Sequence, residues 1–135
     1  MSVPSWRRNE SAVQYVDTAR ELYEHTLRYC RKFPKSAMFF ITKDVVECAK
    51  SVLLNVLSAN KIYVKTEGDR AQRRAMLQAA CGELSTLDAI IPIAKDIFGL
   101  KDVPDYGWLH WGELILKEGN LIKKVMASDE KVALQ

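Results

Sequence analysis

The sequence predicts an all-α protein, an antiparallel up-down-up-down bundle of four helices. Four segments repeat apolar residues at intervals of three and four, the spacing of one face of an α-helix. The links between these segments are short, as they are between antiparallel neighbours in helix bundles. No segment alternates polar and apolar residues for long enough to form a sheet. The 135 residues suit one domain.

The first two predicted helices span residues 11–33 and 36–63. Ser11 is a suitable N-cap, and Pro34 ends the first helix because proline disfavours helical geometry in the residue before it. The predicted apolar stripe of the first helix is Val13, Val16, Ala19, Tyr23, Leu27 and Cys30. That of the second is Met38, Ile41, Val45, Ala49, Val52, Val56 and Ala59.

The third predicted helix spans residues 69–98 and has the most regular apolar spacing in the chain. Steps of three and four alternate without a break, which is the seven-residue repeat of helices packed in bundles. Pro92 predicts a kink because it removes one backbone hydrogen bond, and Gly99 is a suitable C-cap. The predicted stripe is Leu77, Ala80, Leu84, Leu87, Ile91, Ala94 and Phe98.

The fourth predicted helix spans residues 106–126, with Asp105 as its N-cap. Residues 127–135 are expected to form a frayed tail. The predicted apolar face is Trp108, Trp111, Leu114, Ile115, Leu121, Ile122 and Val125.

The polar residues of the chain do not form a pattern typical of catalysis. His25 and His110 lie outside any metal-binding motif, and no glycine-rich phosphate loop or pair of carboxylates for acid–base chemistry is visible. Cys30, Cys48 and Cys81 fall on or beside apolar stripes, so we expect structural thiols. The sequence therefore predicts a protein that is not an enzyme and binds no metal or cofactor.

Two further features indicate a cytoplasmic protein. No apolar run approaches the roughly 20 residues of a membrane span, and the N-terminus lacks the apolar segment of a secretory signal. The three cysteines are odd in number and lack CxxC spacing, which is typical of a reducing compartment.

Basic residues collect at one end of the predicted bundle, where the first helix begins, the second helix meets the third and the fourth helix ends. That end has an excess of five positive charges, although the whole chain carries only +3. We expect it to bind an anion, namely the phosphates of single-stranded or structured RNA. The alternative is that its arginines are exposed and paired with Glu67 and Asp69. The candidate nucleic-acid-binding residues are Arg70, Arg73, Arg74, Lys61, Lys65, Lys123 and Lys124.

The position of these arginines is unusual because cations at a helix N-terminus oppose the helix dipole. The apolar spacing of the third helix, counted back from Leu77, places Arg73 and Arg70 on its continuation. We expect that the core ends at Leu77 and that both arginines face outward.

The chain also holds more large apolar residues than one narrow stripe needs. They indicate either a wide core face or a surface for self-association, and we favour self-association. These residues are Trp108, Trp111, Phe39, Phe40, Leu53, Leu54, Leu57, Leu109 and Leu116.

Several stretches resemble a known family of four-helix bundles. They are RKFPK at 31–35, VLSANKIYVKTEGDRAQRR at 56–74, STLDAIIPIAKDIFGL at 85–100 and WLHWGELILKEGNLIKKVM at 108–126. The family includes the accessory variability determinant of diversity-generating retroelements and proteins encoded in intervening sequences of bacterial 23S ribosomal RNA genes. The intervening-sequence branch has an IPSNIAEG stretch where this chain reads VLLNVLSANKI, which favours the retroelement branch.

The resemblance implies a bacterial or phage-encoded protein that forms a homopentamer with a basic surface. Such a protein has no catalytic activity, binds the reverse transcriptase and the template RNA, and supports mutagenic cDNA synthesis. Two alternatives stay open, a bundle of the 23S rRNA intervening-sequence type and a protein–protein scaffold that binds no nucleic acid.

Overall fold

A computed structural model describes residues 10–98 and 102–134 of the chain. Within these ranges all regular structure is helical, which confirms the predicted all-α bundle. Each helix packs against the next, and α1 also packs against α4, so the four helices enclose one core. The helices are α1 (Glu10–Cys30), α2 (Lys43–Asn60), α3 (Glu67–Phe98) and α4 (Asp105–Glu130). In the described ranges, none of them has the combination of length and apolarity that crossing a membrane requires.

The core contains the predicted stripe of α3 from Leu77 to Ala94, every member of which is buried. The side chain of Phe98 lies outside the described residues, and so does Gly99. Pro92 lies inside α3. Burial of each large aliphatic side chain contributes roughly 1.5–3 kcal/mol, so this regular seam is a major source of stability. The largest fully buried side chains include Tyr15, Leu22, Leu77, Leu87, Trp111 and Ile122.

The predicted stripe of α1 is partly wrong. Val13 and Leu27 are exposed, whereas Tyr15, Leu22 and Tyr29 are buried at a seven-residue spacing. The buried face of α1 is therefore rotated relative to the predicted stripe. The physical reason is that this face carries polar groups whose hydrogen bonds are made to α4, so burial costs them little.

The junction between α1 and α2 is less regular than predicted. α1 ends at Cys30, three residues earlier than predicted. The N–H groups of Lys32 and Phe33 each donate, at 3.0 Å, to the carbonyl three residues before them. A 3₁₀ turn and a π-helical turn, Lys35–Ala37 and Met38–Thr42, then precede α2. Met38 is exposed here, although the helical spacing placed it in the core.

Three helix ends also differ from the prediction. α2 ends at Asn60 rather than 63. α3 begins at Glu67, two residues early, because Thr66 and Asp69 form reciprocal bonds: the Asp69 N–H donates to the Thr66 hydroxyl, and the Thr66 N–H donates to the Asp69 carboxylate, both at 3.1 Å. α4 continues to Glu130, so residues 127–130 are helical rather than frayed.

Neither predicted N-cap is at the cap position. Ser11 lies inside α1, which begins at Glu10, and Asp105 is the first residue of α4, with Pro104 at the cap. Proline is well suited to the start of a helix because it lacks the N–H that a helix end leaves unpaired.

Candidate nucleic-acid interface

The predicted basic end is built where the first turns of α3 meet the last turns of α2 and α4. Antiparallel packing brings the N-terminus of α3 beside two helix C-termini, where unpaired carbonyl groups carry partial negative charge. Arg70, Arg73 and Arg74 all reach across to these neighbours. The structure therefore brings the three predicted arginines together, but with partners inside the protein.

Arg73 is a bridge between three helices. Its Nε donates to the Asp129 carboxylate at 2.7 Å, and one terminal nitrogen donates to the carbonyls of Ala59 and Ile62 at 3.0 and 3.2 Å. Only 11% of its side chain is exposed, against 15% for Asp129. The expectation that Arg73 faces outward is wrong, because the two helix C-termini offer it acceptors that water would otherwise provide.

Arg70 is also held internally, whereas Arg74 is partly accessible. Arg70 donates to the Val132 carbonyl at 2.6 Å and to Glu67 at 3.3 Å, and only 13% of its side chain is exposed. The outward orientation predicted for Arg70 is therefore wrong as well. Arg74 pairs with Glu130 at 2.5 Å and is half exposed.

The alternative interpretation of the arginines is only partly correct. Glu67 does pair with Arg70, but Asp69 pairs with none of the three. Its carboxylate instead accepts from the backbone N–H groups of Lys65 and Thr66. These hydrogen bonds hold the pKa of Asp69 below its usual range. Asp69 therefore caps α3.

The predicted lysines differ from the arginines in their surroundings. Lys61, Lys65, Lys123 and Lys124 are exposed, and within 10–98 and 102–134 no carboxylate lies within 4.0 Å of their amino groups. An exposed ammonium keeps its three donors available to solvent or to a ligand. The accessible charge of this end is therefore carried mainly by lysine.

One basic feature was missed by the sequence interpretation. Lys117 and Lys124 on α4 and Lys131, the residue that follows its last turn, are all exposed and seven residues apart, so they form one row along this surface. The signal was present in the sequence as a seven-residue spacing of lysine. It leads from the middle of α4 to the basic end.

The cysteines and His25 contribute structure to the described part of the molecule. Cys30 and Cys48 are buried as predicted, and burial raises the pKa of each thiol to about 12, which keeps it protonated. Cys81 is half-buried, and its pKa is raised by the same cause. Burial lowers the pKa of His25. Among the described residues no three His, Cys, Asp or Glu side chains cluster as metal ligands would.

A buried polar network joins α1 to α4 at the other end of the bundle. Trp111 Nε1 donates to the Thr26 hydroxyl at 3.0 Å, and that hydroxyl donates to the Leu22 carbonyl at 2.7 Å. His25 Nε2 lies 2.8 Å from the Gly107 carbonyl. A Cβ on residue 107 would lie 3.0 Å from the Tyr29 ring, so glycine permits this close approach.

The apolar residues proposed for self-association divide into two groups. Trp111 belongs to the core, and Trp108, Leu53 and Leu57 are half-buried. The others remain accessible: Phe39, Phe40, Leu54, Leu109 and Leu116 are 52–87% exposed. Exposed residues of this size are typical of contact surfaces when they are grouped.

Comparison with known proteins adds no relative to this geometry. No family model, curated protein or solved structure matches the chain. The likeness to retroelement accessory proteins thus stays a resemblance carried by the four quoted stretches.

Proposed function

We propose that this protein is a non-catalytic, oligomeric nucleic-acid-binding protein that contacts phosphates through lysines at one end of the bundle. The observation that carries the proposal is the contrast between the two kinds of cation at this end. Arg70, Arg73 and Arg74 are engaged by protein groups, whereas Lys61, Lys65, Lys123 and Lys124 are exposed, with no carboxylate of the described ranges within 4.0 Å of their amino groups.

The arginines and the lysines of this end have different roles for a physical reason. The planar guanidinium of Arg73 fixes three acceptors at once and so positions the chain segments that carry the lysines. The lysines act as compact point charges on flexible stems. Such contacts neutralise phosphates without reading base edges, so binding should depend weakly on sequence.

The resemblance supplies the cellular role in this proposal. The protein acts as an accessory of a diversity-generating retroelement, where it binds the reverse transcriptase, the template RNA and the cDNA during mutagenic synthesis. Self-association supports this role because it multiplies the modest charge of one chain. Several copies would present enough lysines together to hold a polyanion at physiological salt.

Salt dependence of RNA binding tests the phosphate contacts. Each lysine–phosphate contact with a single strand contributes a slope of about −0.7 to the plot of log affinity against log salt. Lys61→Gln with Lys65→Gln should weaken binding of single-stranded RNA and reduce the slope by about 1.4 for each chain in contact. Fluorescence anisotropy between 50 and 200 mM salt provides the measurement.

A matched control is Lys50→Gln, which removes an exposed lysine from the middle of α2, away from the basic end. It should leave the slope nearly unchanged. Absent binding, or affinity that does not respond to salt, would exclude the proposed phosphate contacts.

The scaffold alternative is favoured by one observation, the internal use of the arginines. If Arg73 only stabilises helix ends, the lysines need do no more than keep this end solvated. Under that alternative the Lys61 and Lys65 variants would leave affinity for a protein partner unchanged and no RNA binding would be measured. A bundle of the intervening-sequence type is the remaining alternative.

A further inference from the structure

The link between α2 and α3 presents one of the most exposed aromatic side chains in the described ranges. Tyr63 is 79% exposed. Its neighbours Ile62 and Val64 are half-buried, and beyond them Lys61 and Lys65 are exposed again. This alternation anchors the link through its two aliphatic side chains. It leaves an aromatic ring between two lysines on the outer side.

The backbone of the link is fixed on both sides of Tyr63 by side chains of α3. The Arg73 guanidinium donates to the Ile62 carbonyl at 3.2 Å, and the Asp69 carboxylate accepts from the Lys65 N–H at 3.2 Å. The ring is therefore carried by a segment that is already ordered. A ligand that contacts a pre-organised segment does not have to offset the entropy of ordering it.

Tyr63 lines a groove of about 410 Å³ at the basic end. From α1 the groove receives two aliphatic side chains, Val13 and Val16, and the exposed carboxylate of Asp17. Val13 is 53% exposed, so the described residues leave part of this apolar surface open. An aromatic ring and aliphatic side chains together form a surface against which another flat ring packs well.

We propose that this groove binds one base of a single-stranded nucleic acid. The base stacks on the Tyr63 ring and contacts Val13 and Val16, while the phosphates on its two sides contact Lys61 and Lys65. This inference rests on the proposed function and adds to it the class of nucleic acid that fits, a strand whose bases are unpaired. Stacking tolerates any base, in keeping with binding that depends weakly on sequence.

The charges around the groove favour this occupant. The Asp17 carboxylate would repel a phosphate inside the groove, whereas Lys61 and Lys65 attract phosphates beside it. A single strand has the matching order, an uncharged base between two anionic phosphates. A duplex does not, because its bases are paired and stacked within the helix.

Fluorescence anisotropy of the full chain with single-stranded RNA, and with duplex RNA of equal length, tests the stacking contact. Tyr63→Ser should weaken single-strand binding about five- to a hundredfold, the usual effect of losing one stacked base. Tyr63→Phe should bind like the parent because it keeps the ring. Neither variant removes a charge, so the salt slope should stay that of the parent and duplex binding should not change.

Tyr106→Ser is the matched control, since it removes a tyrosine that is 69% exposed at the start of α4, at the other end of the bundle. It should bind single-stranded RNA as the parent does. Ultraviolet cross-linking of the parent to single-stranded RNA, followed by mass spectrometry of the peptides, should place a nucleotide on Tyr63.

The outcomes separate this inference from the function on which it rests. If the parent shows no salt-dependent RNA binding, both are wrong. If the parent binds but Tyr63→Ser binds equally well, or weakens duplex and single strand alike, the base site alone is overturned. Sedimentation equilibrium of Tyr63→Ser should give the mass of the parent assembly, and a changed mass would make Tyr63 a subunit contact and also overturn the base site.

Discussion

Glu118 is the strongest local conflict in the described core and supports the sharpest prediction. Its side chain is 0% exposed on α4, and both carboxylate oxygens are buried without a hydrogen-bond partner among the described residues. Tyr15 from α1 and Cys81 from α3 are near enough for their own pKa values to be raised by its charge. Burial raises the pKa of Glu118 from 4.5 to about 8, although Lys117 partly opposes the shift.

The shift fixes both the sign and the size of a pH dependence. The folded protein holds a proton on Glu118 that the unfolded chain releases above pH 4.5, so the folded state loses stability as pH rises from 4.5 to about 8. At about 1.4 kcal/mol for each pKa unit, the full loss is about 5 kcal/mol. At pH 7 about 3 kcal/mol of it is already present.

Glu118→Leu should therefore stabilise the protein at pH 7 by about 3 kcal/mol, because leucine needs neither a proton nor a hydrogen bond. Urea unfolding from pH 5 to 7.5 measures this free energy and stays below the range where Cys30 and Cys48 ionise in the unfolded chain. The difference between variant and parent should grow steadily with pH. Glu113→Gln, an exposed change on the same helix, is the control. A difference that does not change with pH would refute a protonated Glu118.

Three further predictions concern the contacts between helices, all measured by urea unfolding. Arg73→Met should destabilise the fold by about 2–4 kcal/mol, because it leaves a partly buried carboxylate and two carbonyls without their donor. Arg74→Met removes a half-exposed ion pair and should cost less than about 1 kcal/mol. Equal losses in the two variants would contradict the bridging role of Arg73. Trp111→Phe should cost about 1–3 kcal/mol through the lost bond to Thr26 and a small cavity, whereas an unchanged stability would show that this bond contributes little. Because the pKa of His25 is lowered in the folded protein, His25 contributes stability that is present above pH 6.5 and lost as pH falls. His25→Gln should therefore flatten the decline in the free energy of unfolding between pH 6.5 and 5. An unaltered decline would assign this pH dependence to other groups.

The elements that could be predicted from sequence are those in which the buried face is aliphatic. The seam of α3 from Leu77 to Ala94 is such a case, since apolar spacing alone identifies it. The face of α1 was misplaced because His25 and Thr26 lie on it, and periodicity counts polar residues as exposed. Their burial depends on acceptors and donors supplied by α4, which local spacing does not reveal.

Helix ends were harder to predict because their partners come from distant parts of the chain. The sequence contains no local reason for α4 to continue to Glu130. Asp129 and Glu130 are held there by Arg73 and Arg74, which lie 56 residues earlier. The start of α3 was predictable in principle from the Thr66-x-x-Asp69 spacing, a common capping pattern.

The arginines at the start of α3 show how topology can reverse a local electrostatic rule. Considered alone, a helix N-terminus disfavours cations by up to about 1 kcal/mol each. In an antiparallel bundle the same point lies between two C-termini, and Arg73 contacts the carbonyls that end α2 as well as Asp129 on α4. These acceptors, which come from two other helices, offset the unfavourable positive end of α3. A cluster of arginines at such a place is therefore weak evidence for an external anion, and the exposed lysines around it are the stronger evidence.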